Sequence, residues 1–496
     1  MMNNCGHRFS RRGFLRGGAA AAGLMIGRLA MSAEPAGAPS PPDKSDEEWI
    51  AEAVPPSLDG YYHEAYRPQF HFTSCRYWMN DPNGLVFYEG TYHLFFQQNP
   101  RSLLAPWDMK PPSGPCWGHA VSTDLVHWKQ KAGVFPRSAS GTMVVDTHDT
   151  ARLATGCRPT MLAFRGHDGR LQVSYSNDAA ETWKDYNYDP PLLQMADPKV
   201  FWHEPTKRWI LITFLWPDDR FTFRFFSSPD LKQWKLESTL KLESSECPDI
   251  YEMSVDGDPN RRKWVFNVGN ANYYIGTFDG SRFAIEQGPY RMDHGSIYAS
   301  QTWANIPQSD GRTIHVAWMH PAGHAPDMPF SQQLTFPCEL ALKTCSDGVR
   351  MCRQPIREIA GLHDGTHRWT KVALTPENSP VADLRGQLFD IEADIDMGSA
   401  PEVIFEIRQS RLRIVAAEKK LIFLDSAAPI ALRDNRIRLR MLIDRTSLEV
   451  FVDQGDASLT KWFLPDPKED LVRVFVTGGQ ATIVQLRATS LRSIWT

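Results

Sequence analysis

A short Ser-x-Asp motif followed by tryptophan recurs along this chain, and this repeat constrains the fold more than any other feature. The segment from Ser122 to Trp128 reappears from Ser228 to Trp234, and a looser copy runs from Ser176 to Trp183. A repeat of roughly 40–50 residues with four short strands per unit is typical of a β-propeller. Three unrelated turns that end in tryptophan by coincidence are the alternative explanation.

The residue pattern between and around these copies is typical of an all-β protein. From about Tyr62 onward, short aromatic and β-branched runs such as Tyr92–Phe96 and Arg208–Thr213 are broken by Gly, Pro, Asn and Asp. Such runs predict strands, and no long amphipathic helix interrupts them. About 290 residues at the period of the repeat correspond to about five blades. We therefore predict a five-bladed β-propeller over residues 62–360.

The last part of the chain has a different pattern. From about Thr366, alternating strands such as Arg436–Ile443 and Ser447–Val452 are separated by turns. Around 130 residues of this kind predict a β-sandwich, which we assign to residues 366–496. No cluster of titratable residues stands out there, so a structural or sugar-binding role is expected.

The N-terminus carries targeting information. Ser10–Leu15 contains two consecutive arginines before Gly-Phe-Leu, as in a twin-arginine export signal, and a mildly apolar stretch follows from Gly17 to Ala30. That stretch is too short and too rich in glycine to span a membrane. We predict a signal peptide over residues 1–38, a tail or linker over 39–61, and a periplasmic or extracellular location. An ordinary basic N-terminus is the alternative.

Cysteine usage and charge exclude several classes of protein. The seven cysteines after Cys5 have no Cys-x-x-Cys spacing, so they indicate neither a disulfide framework nor a zinc site. One pairing, such as Cys345 with Cys352, stays open. The formal net charge of −4 and the absence of a basic run beyond the N-terminus argue against a nucleic-acid partner.

Three acids have settings that favour chemistry. Asp81 lies in the segment Trp78–Gly84, where Asn-Asp-Pro and Asn-Gly predict a rigid turn. Asp197 and Glu246 also lie beside a proline or a tight turn and precede an apolar strand. The innermost strands of successive propeller blades converge on one channel, so we expect these acids to meet there. Ordinary turn acids are the alternative interpretation.

A meeting of carboxylates suits the hydrolysis of glycosidic bonds. One carboxylate attacks the anomeric carbon, while a second, which holds its proton at the working pH, protonates the leaving oxygen. A separation of about 5 Å between the two gives retention of configuration, and a wider gap that admits water gives inversion.

A set of ordered motifs resembles glycoside hydrolase family 32, the family of invertases, inulinases and levanases. The propeller region contains WMNDPNG, FFQQNP, WGHAVSTDLVHW, ADPKVFWH and ECPDIY in this order. Further matching segments are Tyr298–Trp303, Val316–Met319 and Asp444–Phe451. The resemblance covers nearly all of residues 62–496, and it implies a five-bladed propeller with an appended β-sandwich.

The resemblance also implies an activity and the residues that perform it. It implies hydrolysis of β-D-fructofuranosides by double displacement with retention, without a metal or an organic cofactor. Asp81 would be the nucleophile, Glu246 the general acid/base and Asp197 the transition-state stabiliser. The fructose subsite would be lined by Asn80, Gln97, Trp107, Trp117, Ser140 and Asp249.

Two positions depart from the family pattern. The family usually has arginine immediately before the transition-state aspartate, where this chain has Ala196, and in a Pro-Arg-Glu-Leu segment, where it has Cys338. The loss of a charge-assisted contact worth about 1.5–3 kcal/mol weakens transition-state binding roughly 10- to 100-fold. Arg152, Arg158 or Lys199 could replace the missing guanidinium.

The leading hypothesis is a secreted, retaining, exo-acting β-fructofuranosidase whose partner is a carbohydrate, either levan, inulin or sucrose. One alternative is a catalytically weak or inactive fructan-binding protein. Another is a glycosidase or fructosyltransferase for a different furanoside, because alanine precedes Asp197. Retention of all three acids favours an enzyme. Neither stable membrane insertion nor nucleic-acid binding is expected.

Overall fold

The computed structural model describes residues 44–109, 114–167, 169–187, 195–216, 218–320, 323–381 and 384–495. The predicted signal peptide lies outside these ranges, as does the start of the predicted tail. Strands make up most of the regular structure described. Among the helices in these ranges, none combines the length and the apolar character needed to cross a membrane.

Five groups of antiparallel strands follow one another along the chain and form the five blades of a β-propeller, as predicted. Blade one contains β1 (Tyr77–Tyr88), β2 (Thr91–Asn99), β3 (Cys116–Ser122) and β4 (Lys129–Val134). Blade two contains β5 (Ser138–Asp146), β6 (Thr160–His167), β7 (Arg170–Ser176) and β8 (Lys184–Tyr186). Blade three contains β9 (Met195–His203), β10 (Arg208–Leu215), β11 (Asp219–Ser228) and β12 (Lys235–Lys241).

The remaining two blades share one continuous sheet. Blade four contains β13 (Asp249–Val255), β14 (Asp258–Asn267), β15 (Asn272–Phe278) and β16 (Phe283–Arg291). Blade five contains β17 (Ile297–Thr302), β18 (Thr313–Met319), β20 (Cys338–Cys345) and β21 (Gly348–Pro355), and the two-residue β19 (Phe330–Ser331) lies between β18 and β20 in the chain. A parallel pairing of Val255 with Leu342 joins the two blades.

The ring closes through contacts between blade five and blade one. β19 pairs in parallel with the start of β1, and Val86 of β1 forms an isolated bridge with Ala304. The first strand of each blade lies innermost, since β1 contacts both β5 and β17, and β5 contacts β9. Side chains from distant parts of the sequence therefore face one central channel.

Apolar cores lie between neighbouring blades, which explains the high aromatic content. One core joins Phe95 and Trp117 of blade one to Met143 and Met161 of blade two. Equivalent clusters lie between blades two and three, three and four, and four and five. Large rings fill the wedge-shaped space that flat blades leave as they diverge from the axis.

The repeated Ser-x-Asp motif marks the same turn in blades one, two and three, between the third and fourth strands. In each copy the serine hydroxyl donates to the aspartate, and the aspartate accepts backbone N–H bonds further along the turn. The pairs are Ser122 with Asp124 (3.0 Å), Ser176 with Asp178 (2.8 Å) and Ser228 with Asp230 (3.1 Å). The repeat was therefore a correct signal of blade architecture.

A short helix, α1 (Asp46–Glu52), precedes the propeller. Ser45 and Glu48 form a capping box, because each side chain accepts the backbone N–H of the other (2.7 and 3.2 Å). Ile50 is buried, and a Cβ on Gly133 of β4 would lie 3.2 Å from its side chain. The segment predicted as a tail thus includes one ordered helix that packs on blade one.

The C-terminal part is a β-sandwich, as predicted. Its strands are β22 (His363–Leu374), β23 (Leu384–Arg385), β24 (Phe389–Asp396), β25 (Glu402–Ile407), β26 (Ser410–Val415), β27 (Lys420–Phe423), β28 (Ser426–Pro429), β29 (Arg436–Asp444), β30 (Ser447–Val452), β31 (Ala457–Trp462), β32 (Leu471–Val476) and β33 (Ala481–Leu491). The two sheets have the orders β22-β33-β24-β29-β30-β31 and β23-β32-β25-β26-β27-β28. Alternate residues of both face one aliphatic core.

A buried ionic network joins the sandwich to the propeller. His71 lies between two sandwich acids, with Nδ1 2.8 Å from Asp444 and Nε2 2.9 Å from Glu449. Arg353 of β21 pairs with Glu449 at 2.6 Å and with Asp293 at 3.2 Å. All five side chains are essentially inaccessible to solvent. Removing one charge would therefore leave its partners uncompensated.

This network predicts a window of pH in which the protein is most stable. Burial opposes the charge on His71, but its bonds to Asp444 and Glu449 outweigh burial and raise its pKa from 6.5 to about 9. Burial favours neutral Glu449, but Arg353 and His71 lower its pKa from 4.5 to about 2. The stabilisation from His71 is complete below pH 6.5 and is lost as pH rises through 9. The stabilisation from Glu449 is complete above pH 4.5 and is lost as pH falls through 2.

We expect the midpoint of urea unfolding to be highest between about pH 4.5 and 6.5 and to fall on both sides. The measurement is the unfolding midpoint, followed by tryptophan fluorescence across this range. In His71→Gln the decline above pH 6.5 should flatten. An unchanged alkaline decline in that variant would assign it to other groups.

The cysteines that follow Cys5 are all described, and all are free thiols. The pairing of Cys345 with Cys352 that the sequence left open is not formed. No group of three or more His, Cys, Asp or Glu residues within the described ranges is arranged to hold a metal ion.

Candidate active site

Asp81 lies in a strand rather than in the rigid turn that its neighbours predict, so that prediction is wrong. The pairing of β1 with β2 shifts register between Met79 and Pro82 and again between Asn83 and Val86. Proline has no N–H to contribute to the ladder, and such bulges re-aim side chains without reversing the chain. The turn formers around Asp81 therefore distort the strand at the point where it faces the channel.

Three predicted subsite residues gather around Asp81, whose side chain is almost fully buried. Asn80 Nδ2 donates to Asp81 Oδ1 at 3.0 Å, and Ser140 Oγ donates to Asp81 Oδ2 at 2.9 Å. Gln97 Nε2 in turn donates to Ser140 Oγ at 2.5 Å. These bonds fix the orientation of the carboxylate from blades one and two, as a nucleophile requires.

Asp197 and Glu246 hold unusual backbone conformations. Their φ angles are +43° and +68°, and that of Cys247 is +44°. The left-handed region costs a non-glycine residue energy, and such residues concentrate at functional sites. Asp197 lies in β9 and is 8% exposed, whereas Glu246 lies in the loop that leads into β13 and is half-buried. Of the three acids, Glu246 has the most contact with solvent.

Cys247 connects two of the acids. Its backbone N–H donates to Asp197 Oδ2 at 3.1 Å. Its Sγ lies 3.6 Å from Asp197 Oδ2 and 3.7 Å from Asp81 Oδ2. Asp81, Asp197 and the residue after Glu246 are thus brought together from blades one, three and four.

Tyr298 of β17 contacts the third acid. Its hydroxyl donates to Glu246 Oε2 at 2.7 Å. Burial raises the pKa of Tyr298 well above its usual value, and the nearby Glu246 raises it further, so the phenol stays protonated and acts as a donor. A Cβ on Gly269 would lie only 2.9 Å from the Tyr298 ring, so glycine permits this close approach.

Asp249 is placed beside the site but is completely buried. Its Oδ1 pairs with Lys199 Nζ at 2.5 Å, and its Oδ2 accepts bonds from Thr302 N (2.7 Å) and Thr302 Oγ1 (2.9 Å). Asp249 therefore joins blades three, four and five around the channel. Its carboxylate holds Lys199 in the β9 strand that also carries Asp197.

The two tryptophans predicted for the subsite differ in exposure. Trp107 is half-buried in a 3-10 turn (Pro106–Asp108) and packs edge-on against Trp78, with ring centroids 5.1 Å apart. Trp117 is fully buried between blades, and its Nε1 donates to the carbonyl of Ala139 at 2.8 Å. Trp117 thus supports the strand that carries Ser140, while Trp107 retains an exposed surface.

The two departures from the family pattern have different locations. Ala196 directly precedes Asp197 in β9, and its carbonyl accepts a bond from Thr213 Oγ1 at 2.7 Å. Cys338 lies on the third strand of blade five, where it is fully buried, and its Sγ lies 3.4 Å from the carbonyl of Phe336. Ala196 is therefore on an innermost strand beside one of the predicted acids, whereas Cys338 is not on an innermost strand.

Among the three basic residues proposed to compensate for Ala196, only Lys199 is placed with the acids. Arg158 is mostly exposed and lies 3.5 Å from Glu89. Arg152 is exposed, outside the innermost strands. Cys247 and Tyr298 were missed as site residues, although each lies inside one of the family motifs. Membership in a motif was the available signal, and only the contacts distinguish their roles.

Comparison with known proteins agrees with these observations. The chain matches the profile of the glycosyl hydrolases family 32 N-terminal domain over residues 71–355 and that of the family 32 C-terminal domain over residues 358–490. It is 32% identical over 498 residues to a levanase from Bacillus subtilis, covering 88% of this chain and 72% of that protein. It is 26% identical over 527 residues to an extracellular exo-inulinase from Aspergillus awamori, covering 88% of this chain and 96% of that protein.

Solved structures share the fold. The crystal structure of exo-inulinase from Aspergillus awamori has a TM-score of 0.77 at 23% identity, covering 88% of this chain and all of that chain. The structure of fructofuranosidase from Schwanniomyces occidentalis complexed with fructose has a TM-score of 0.76 at 21% identity, covering 87% of this chain and 99% of that chain. Since both family profiles match in order and together span most of the sequence, the chain belongs to glycosyl hydrolase family 32 and is a glycoside hydrolase.

Proposed function

We propose that this protein is an exported, retaining β-fructofuranosidase that removes terminal fructosyl units from levan, inulin or sucrose. The observation that carries the proposal is the convergence of acids from three blades: Cys247 contacts both Asp81 and Asp197, and Glu246 directly precedes it. The names of the matched relatives, a levanase and an extracellular exo-inulinase, support the substrate class.

In the proposed first step, Asp81 attacks the anomeric carbon of the fructosyl unit. Glu246 gives its proton to the leaving oxygen, so the glycosidic bond breaks as the covalent fructosyl ester forms. In the second step, Glu246 takes a proton from water, and the resulting hydroxide attacks the anomeric carbon and releases Asp81. The partial exposure of Glu246 suits a group that exchanges protons with solvent, whereas buried, oriented Asp81 suits a nucleophile.

Asp197 is proposed to stabilise the positive charge of the oxocarbenium-like transition state and to bond fructose hydroxyls. Its carboxylate is already oriented by the N–H of Cys247. Asn80, Gln97 and Ser140 are proposed to complete the fructose pocket, and the exposed surface of Trp107 to form part of its wall. Asp249 is proposed to act from beneath this pocket by holding Lys199.

Residues 1–38 are proposed to direct export by the twin-arginine route, which agrees with a relative named as extracellular. The domain limits 62–360 and 366–496 remain predictions, close to the two matched family ranges.

The test is release of reducing sugar from sucrose, inulin and levan by the purified mature protein, with Asp81→Ala as the control. Release from any of the three that disappears in the variant supports the proposal and ranks the substrates. Retention is checked by following the anomer first released, by NMR. If the folded protein releases nothing from all three, the proposal fails, and Ala196 then marks an altered substrate or a binding protein without turnover.

Tyr298→Phe is expected to impair cleavage only where the leaving group needs a proton. The phenol positions Glu246, so its loss should lower kcat/KM for sucrose roughly 10-fold or more. An aryl β-D-fructofuranoside with a nitrophenolate leaving group needs no protonation, and its kcat/KM should change less than about 3-fold. Equal losses on both substrates would contradict this role for Tyr298.

A further inference from the structure

The innermost strand of blade five is hydrogen-bonded to residues of two other blades. Besides the bond from Tyr298 to Glu246, Gln301 Nε2 donates to the carbonyl of Gly141 at 3.2 Å, next to Ser140 of blade two. Thr302 bonds Asp249 through both its N–H and its hydroxyl. The placement of β17 therefore determines how Glu246 and its neighbours are oriented.

This strand carries a bulge at the point where its site residues begin. Tyr298 pairs with Trp318 and Gln301 pairs with Val316, so β17 has one more residue than β18 over this interval. Ala299 lies in the bulge with φ of +52°, and its N–H donates to the carbonyl of Gly269 at 2.8 Å. A bulge of this kind sets the direction of the flanking side chains.

Ser300, also in the bulge, is fixed from the outside of the blade. Its Oγ lies 2.8 Å from His315 Nδ1, and Arg353 Nε donates to His315 Nε2 at 3.0 Å. Since Nε2 accepts a bond from arginine, the imidazole proton lies on Nδ1 and is donated to Ser300. Burial, and secondarily Arg353, lowers the pKa of His315 well below its usual value, so the ring stays neutral in this tautomer.

The chain of bonds continues into the β-sandwich. Arg353 Nη2 donates to Glu449 Oε2 at 2.6 Å, and Glu449 belongs to β30. Ser300, His315, Arg353 and Glu449 are all at most 2% exposed. The bonds therefore form one buried path from the sandwich domain to the strand that carries Tyr298.

We propose that Glu449, Arg353, His315 and Ser300 form a positioning relay by which the β-sandwich sets the bulge of β17 and thereby orients Tyr298 against Glu246. The relay rests on the proposed function, because it assigns these residues an effect on proton donation to the leaving group. None of the four contacts the substrate. Each acts by holding the next, and the sandwich domain is thus part of the apparatus that positions the acid.

The experiment compares kcat/KM for sucrose and for the nitrophenyl β-D-fructofuranoside in Ser300→Ala and Glu449→Gln. Ser300→Ala is expected to lower kcat/KM for sucrose roughly 10-fold and to leave the aryl substrate within about 3-fold. Glu449→Gln should act in the same direction. In the double variant, Glu449→Gln should cause no further change in the ratio of kcat/KM for sucrose to kcat/KM for the aryl substrate, because both substitutions interrupt the same path.

Thr446→Val is the matched control. Thr446 is buried at the same domain boundary and donates to Gln333 Oε1 at 2.7 Å, outside the path to β17. Its ratio of sucrose to aryl kcat/KM should equal that of the unmodified protein. Equal losses on both substrates in Ser300→Ala, or no loss on either, would overturn the relay.

A crystal structure of Ser300→Ala gives a readout that does not depend on activity. The Tyr298 hydroxyl is expected to move out of hydrogen-bond distance of Glu246, and an unmoved Tyr298 would overturn the relay even if Glu449→Gln proved too unstable to study. Failure of the proposed function is distinct from both results, since the unmodified protein would then cleave neither fructoside.

Discussion

Replacement of Asp81 by alanine is expected to lower kcat for fructoside cleavage roughly 10⁴-fold or more, because Asp81 is the proposed nucleophile that forms the covalent intermediate. Asp81 is held by two hydrogen bonds, since Asn80 and Ser140 each donate to one of its oxygens. The measurement is the rate of sugar release in enzyme excess, with circular dichroism to confirm that the variant is folded. Added azide should restore cleavage of an activated aryl fructoside and yield the inverted α-fructosyl azide.

Asp230→Ala provides a matched control, since it removes an acid that serves only a turn. Asp230 accepts the N–H groups of Lys232 and Gln233, far from the channel in blade three. Its loss should lower stability by about 1 kcal/mol and leave kcat within about 2-fold. If Asp81→Ala behaved like Asp230→Ala, with normal turnover, Asp81 would be another structural acid and not the nucleophile.

Arg353→Leu is expected to produce the largest loss of stability among single substitutions at the domain boundary. The guanidinium compensates Glu449 and Asp293, both of which have no access to solvent. Removing one partner of a buried ion pair leaves uncompensated charge and typically costs about 3–5 kcal/mol. The measurement is the shift of the urea unfolding midpoint at a pH between about 4.5 and 6.5, where both His71 and Glu449 contribute fully.

Arg385→Leu is the comparison for an exposed pair. Arg385 lies 2.8 Å from Asp470, but both side chains have substantial contact with water. Such pairs contribute about 0–1 kcal/mol, so the midpoint should hardly change. Equal shifts in the two variants would show that the buried network at the domain boundary contributes no more than an ordinary surface pair.

Much of the fold could be predicted from the sequence, because local turn chemistry repeats wherever the architecture repeats. The Ser-x-Asp turns recur because each blade needs the same connection between its third and fourth strands. Blade four has a related turn at this place, in which Asp279 accepts bonds from Ser281 and Arg282, but Thr277 and Phe283 stand where the other copies have serine and tryptophan. The side chain after the turn needs only to be large and apolar, so its identity is free to vary.

The acids of the site could be selected from the sequence, but their environment could not. The turn formers around Asp81 predicted a reversal of the chain, and tertiary pairing with β2 held the segment as a bulged strand instead. Local propensity is weak compared with a ladder of backbone bonds on a central strand. The bond of Cys247 to Asp197 and the pairing of Lys199 with Asp249 could not be predicted, since the two members of each pair lie fifty positions apart.

The sequence could not show which of the two departures from the family pattern lies closer to the predicted acids. Both lose an arginine, yet Ala196 lies next to Asp197 while Cys338 is buried on the third strand of blade five. Strand position within a blade decides whether a side chain can reach the channel, and only pairing of distant strands fixes that position. The sequence therefore predicted a change at the site without showing which of the two positions lies beside the acids.

By itself, the sequence determined the all-β class and the propeller and sandwich architecture, and it predicted the three acids of the candidate site. These depend on strand periodicity, turn residues and local motifs, which act over a few positions. The tertiary structure alone decided which atoms meet: the bond from Tyr298 to Glu246, the contact of Cys247 with two acids, and the buried path through Arg353. Such contacts join residues far apart in the chain, and their geometry is set by the packing of blades and domains.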